Sequence, residues 1–160
     1  MAAWQVDFYV VPRRALGAPT RAALADTDWW GERGARGGFP ANYAARLATV
    51  FAPPHTPSAG VEVWGAEDGN RVDVSLESGR VSRVMVWVDV RRLDSRFGAV
   101  LLELVRKADA VLVRNDGLVV EPLISAFGAA LRNSSAWRFA NDPAAWVSKY
   151  AASDEDAPED

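Results

Sequence analysis

The 160-residue chain has no cysteine, one histidine and two lysines. The first absence excludes disulfides, thiolate zinc sites and cysteine nucleophiles. The second nearly excludes histidine-based metal sites by number alone, so neither a metal nor any other cofactor is expected. Long hydrophobic runs are missing as well. No stretch approaches the ~20 apolar residues that a spanning helix needs, and no membrane partner is expected. The opening residues, Met1 to Asp7, lack a basic start and are interrupted by a polar residue at every second position. They read as a strand and not as a secretion signal. Asn133-Ser134-Ser135 matches a glycosylation acceptor but is discounted for that reason. A cysteine-free chain suits a reducing compartment, and the expected localisation is cytoplasmic.

Charge of one sign is lacking in the body of the chain. The formal net charge of −3 comes from the C-terminal tail, which holds Asp154, Glu155, Asp156, Glu159 and Asp160. Without those five acids, 16 acids face 18 bases, a balance of +2. Such a body implies neither a strong nucleic-acid binder nor an acidic mimic of nucleic acid. Arginine outnumbers lysine 16 to 2 and alanine is abundant, which suggests a GC-rich bacterial genome.

The apolar pattern supplies the architecture. Trp4, Val6, Phe8 and Val10 alternate with Gln5, Asp7 and Tyr9, the period of a half-buried strand that Pro12 ends. Thr20 to Asp26 fits a short helix, and the glycine-rich run 31–38 a mobile loop. Tyr43, Leu47, Val50 and Phe51 share one helical face behind Pro40, and Pro53, Pro54 and Pro57 stop that helix in a rigid loop holding His55. Strands at 61–64, 71–77 and 81–90 form a meander. Asp94 then caps a helix with Phe97, Val100, Leu101, Leu104, Val105 and Ala108 on one side. Two short strands flank Asn115-Asp116-Gly117. Pro122 opens a helix with Leu123, Ile124, Phe127 and Leu131, and Asp142-Pro143 opens a last one with Trp146, Val147 and Tyr150. The expectation is one α+β domain over 1–152. It has a mostly antiparallel five- to six-stranded sheet with helices packed on one face, followed by a disordered acidic tail at 153–160.

Register follows from parity. Val72 and Val74 meet Val86 and Val84 if the central hairpin turns through Ser78-Gly79-Arg80 or an equivalent bulge, and Arg71 then lies opposite Trp87. Truncation by one residue in that turn would set Val74 against Arg83. The expected core contains Val6, Phe8, Val72, Val74, Val84, Val86, Val88, Phe97, Leu101, Leu104, Phe127 and Leu131.

No residue set forms a catalytic constellation. His55 has no orienting partner in its proline-rich loop, as a general base requires. Gly31, Gly34 and Gly37 read G-x-x-G-x-x-G, which is neither a dinucleotide fingerprint nor a phosphate loop. Arg33 and Arg36 within that run resemble arginine-glycine RNA-binding segments. Asp7, Asp73 and Asp89 share the outward parity of the sheet, where three acids are able to bind a cation or divide acid and base roles. Arg71, Arg83 and Arg91 have the same parity, and interleaved opposite charge is the ordinary pattern of a solvated face.

Tryptophan stands out, with seven residues. Trp4 and Trp146 fit the core pattern. Trp64 and Trp87 are assigned by parity to the outer sheet face with Tyr9, and aromatics beside arginine are what interfaces enrich. Alternatively, segment 13–60 with Trp29, Trp30 and Phe39 folds over that face. The sequence therefore points to a bacterial non-catalytic protein-interaction domain, such as an immunity or accessory protein with one cognate partner, docking through Trp87, Trp64, Tyr9 and Arg71. The alternatives are a small-ligand binder or enzyme using Asp7, Asp73 and Asp89, and an RNA binder using Arg33 and Arg36. Oligomeric state is left open.

Overall fold

Apolar alternation in the central hairpin sets the frame. A computed structural model describes residues 1–17, 24, 27–31, 38–145 and 147–148. In it Val72 pairs with Val86, Val74 with Val84 and Arg71 with Trp87, the expected register. The connection is a two-residue turn at Ser78 and Gly79, both with positive φ, and Glu77 faces Arg80. A bulge beyond Ser75 restores the parity that so short a turn would invert.

The described elements are β1 (Gln5–Pro12), a 3-10 turn (Arg13–Ala15), α1 (Tyr43–Leu47), β2 (His55–Ser58), β3 (Val61–Gly65), β4 (Arg71–Glu77), β5 (Arg80–Asp89), α2 (Ser95–Lys107), β6 (Ala110–Arg114), β7 (Val119–Val120), α3 (Ile124–Arg132) and α4 (Ser135–Asn141). The strands form one antiparallel sheet in the order β2-β3-β4-β5-β1-β6-β7. The fold is α+β with seven strands, one more than the upper expectation. The addition is β2: His55 belongs to an exposed edge strand and not to a loop, pairing with Val63.

Even-numbered residues of β1 and β4, and Val84, Val86 and Val88 of β5 beyond the bulge, face the helices. Phe127 of α3 packs on Phe8 with ring centroids 5.6 Å apart, and Phe97 of α2 meets Phe51 at 5.2 Å. Asp94 Oδ1 accepts the backbone N–H groups of Arg96 and Phe97, which starts α2 where the sequence indicates. All twelve expected core residues are buried. Leu123 and Ile124 are not: they stand exposed where α3 begins, since the helix turns only Phe127, Ala130 and Leu131 inward. The run Val50–Phe51 follows α1 in turns, so that helix ends at Leu47, earlier than the prolines demand. α4, capped by Ser134 Oγ, lies in a stretch without a sequence-based assignment.

The other sheet face is divided. Near β6 it is closed: Tyr9, Val11, Val111 and Val113 are buried. Continuous apolar runs such as Val10-Val11 and Val111-Leu112-Val113 are the sequence signature of strands covered on both sides. Trp30 ties β1 to β5 by donating its backbone N–H to Ser82 O and its indole N–H to Val10 O, both at 2.9 Å. The expected helix at 20–26, the run 32–37, Trp146, Tyr150 and the acidic tail lie outside the described residues.

Candidate functional site

Strand pairing brings the outer-face residues into rows. Gly65, Arg71, Trp87 and Asp7 lie side by side across β3, β4, β5 and β1. The next row holds Val63, Asp73, Met85, Tyr9 and Val113. Gly65 ends the first row with φ +92°, where a Cβ would collide with Asn70 O and the Phe51 ring.

Trp87 is the centre of this surface. The Arg71 guanidinium carbon is 4.9 Å from its ring centroid. The same guanidinium binds Asp73 in a two-point fork, Nε to Oδ1 at 2.6 Å and Nη2 to Oδ2 at 2.7 Å. Those bonds to Asp73 raise the Arg71 pKa above its ordinary value, more than burial lowers it, and their geometry holds the guanidinium in place beside the indole. Trp87 is partly buried, and its indole N–H donates to none of the described residues. Trp4, Trp29, Trp30 and Trp64 instead donate their indole N–H groups to Asp68 O, Leu24 O, Val10 O and Glu62 Oε2, whereas Trp137, partly buried on α4, shares with Trp87 an indole N–H that donates to none of the described residues.

Two members of the expected aromatic surface sit elsewhere. Trp64 pairs with Val72 and points to the helix face, 4% exposed, where its indole bonds Glu62. The parity assignment inverted because β3 is apolar on both sides, so Val63 and Trp64 compete for the inward position. The five-residue Ala66–Asn70 connection decides between them. Tyr9 is on the outer face but buried at 8% exposure, within its closed half. Trp87 and Arg71 remain together, joined by Met85, a partly buried neighbour that the sequence reading passed over because a single methionine in a valine-rich strand carries no pattern.

The three aspartates are engaged separately. Asp7 accepts the Asn115 side-chain amide at 2.6 Å, and Asp73 is held by Arg71. Asp89 is bound by Arg91 through Nε, Nη2 and the backbone N–H at 2.9–3.0 Å. Burial pushes the Asp89 carboxyl upward, but the bonds from Arg91 outweigh it and hold the pKa below the usual carboxylate value. Asp7 and Asp73 lie on β1 and β4, with β5 between them. Among the described residues no group of three His, Cys, Asp or Glu side chains is placed to hold a metal ion, and no helix is long and apolar enough to cross a membrane. Arg33 and Arg36 lie outside the described residues.

Beside this site is a second arginine–indole pair. Arg91 lies 3.8 Å from the Trp4 ring centroid. Here the surroundings are closed: Trp4 and Arg91 both donate to Asp68 O, Gln5 Nε2 to Glu67 O and Gly69 O, and Asp89 N–H to Asn70 Oδ1. These bonds lash the β3–β4 turn to the end of β1 and β5. Comparison with protein-family models, curated proteins and solved structures finds no match to this chain.

Proposed function

We propose that the protein is a non-catalytic interaction domain that docks one protein partner on its outer sheet face, with Trp87 as anchor and Arg71 above it. An immunity or accessory protein of the bacterial cytoplasm is the form that best suits a small, cysteine-free, arginine-rich chain. The observation that carries the reading is the Trp87 indole: partly buried, under a guanidinium, with an N–H that no described group accepts. Tryptophan and arginine dominate binding hot spots. An arginine–indole contact is worth ~0.5–1 kcal/mol when exposed and more once a partner excludes water. The aspartates support binding over acid–base chemistry, because each is already committed to a cation or an amide.

A second surface competes for the same role. Leu118, Val119, Leu123 and Ile124 are exposed, Ile124 at 79%, around the β7 edge and the start of α3. Affinity capture from a native-host lysate with wild type, Trp87→Thr and Ile124→Ser as baits separates the two. The proposal expects a protein retained by wild type and Ile124→Ser and lost with Trp87→Thr. Loss with Ile124→Ser and retention by Trp87→Thr would move the docking site to the β7 edge.

A further inference from the structure

The helix face of the sheet carries a cleft that the outer-face reading does not use. Trp30, Phe39, Tyr43, Glu62, Leu76 and Arg80 line a space of about 720 Å³ beside the β4–β5 turn. Its aromatic wall is a tilted series. Trp30 and Phe39 meet at 5.4 Å and 73°, and Phe39 and Tyr43 at 5.8 Å and 57°. Trp30 is fixed by its two bonds to the sheet, so this wall is set before any ligand arrives.

Glu62 supplies the charge. Its Oε2 accepts the Tyr43 hydroxyl at 2.9 Å and the Trp64 indole N–H at 3.3 Å. Its Oε1 accepts no hydrogen bond from the described residues. Burial, then the bond to Glu62, pushes the Tyr43 phenol well above its ordinary pKa, so Tyr43 stays a donor and holds the carboxylate in place. Among the described residues, only one oxygen of that carboxylate is committed.

We propose that this cleft binds an alkylated ammonium head group. Trp30, Phe39 and Tyr43 line the cleft with aromatic surface that attracts positive charge and accepts alkyl substituents, and Glu62 supplies the counter-charge. A hard metal cation would need several oxygen ligands where one carboxylate stands. An unsubstituted ammonium is more strongly hydrated and gains less from the rings. Arg80, exposed and paired with Glu77 across the hairpin, stands at the rim. The site lies on the opposite face from Trp87 and is independent of the docking proposal.

Three probes test it on the full chain, followed through the Trp30 indole resonance of isotope-labelled protein. Choline represents a free cation, its tert-butyl isostere (carbon in place of nitrogen) the uncharged control, and a trimethyllysine peptide the same group on a protein. Choline or the peptide should give a saturable shift, and the isostere should bind about tenfold more weakly or less. Tighter binding of choline assigns a free small molecule, and tighter binding of the peptide assigns a modified side chain. Glu62→Gln, which keeps an acceptor for Tyr43, should weaken choline about tenfold. Phe39→Leu, which keeps an apolar wall without the ring, should weaken it about fivefold and stands in if the first variant does not fold. No saturable shift with either cation, equal binding of the isostere, or unchanged affinity in the folded variants would overturn the proposal.

Discussion

Two arginine–indole pairs occupy neighbouring parts of one sheet, and their surroundings differ. Arg91 over Trp4 sits in a knot where the indole N–H, the guanidinium and the carboxylate of Asp89 all have protein partners. Arg71 over Trp87 shares the stacking and the carboxylate fork, but the Trp87 N–H has none among the described residues. Arg91 and Trp4, both bonded to Asp68 O, hold the β3–β4 turn to the sheet. At Trp87, whose indole N–H no described residue accepts, the proposed partner would supply the acceptor.

The comparison breaks first at Trp4. Trp4→Ala removes the ring under Arg91 and the bond to Asp68 O, and should cost about 2–3 kcal/mol, or roughly 5–10 °C in melting temperature for a domain of this size. Calorimetry checks it, and a loss under about 1 kcal/mol would mean that the knot is ornamental. Asp89→Asn comes next, at about 1–3 kcal/mol, because it removes charge-assisted bonds from a buried carboxylate. It also has a pH signature. The folded carboxyl titrates below its unfolded value, so its contribution is present above about pH 4 and is lost as pH falls through the folded value. Acidification below about pH 4 should therefore destabilise wild type more than Asp89→Asn, as measured by denaturant melts across that window. The smallest effect is the Arg71/Trp87 coupling. A double-mutant cycle of Arg71→Gln and Trp87→Thr should return about 0.5–1 kcal/mol. Threonine keeps strand propensity, so the cycle reads the contact and not the strand. Coupling above about 2 kcal/mol would place this pair with the knot.

Much of the frame was legible. Four alternating valines set the β4–β5 register and hence the Arg71–Trp87 juxtaposition, and the spacing from Phe97 to Leu104 marked the inner side of α2. What escaped has physical causes. β2 is short, exposed on every residue and contains Pro57, so it has no apolar alternation to read. Trp64 was assigned to the wrong side because β3 is apolar on both, leaving the face to cross-strand pairing that a lone strand does not encode. Glu62 gave no signal for the same reason: its role comes from Tyr43 and Trp30, brought to it by the tertiary fold. That no described residue accepts the Trp87 donor likewise follows from the tertiary fold, which no sequence pattern records.

The most direct test follows that donor in the free protein. Hydrogen exchange at the tryptophan indoles resolves each N–H separately. Exchange at Trp87 should be rapid and nearly unprotected, with strong protection at Trp30 and Trp64, whose N–H groups are bonded to Val10 O and Glu62 Oε2. Protection of Trp87 equal to that of Trp64 would show its N–H already satisfied within the chain, and would contradict the claim that this face is left open for a partner.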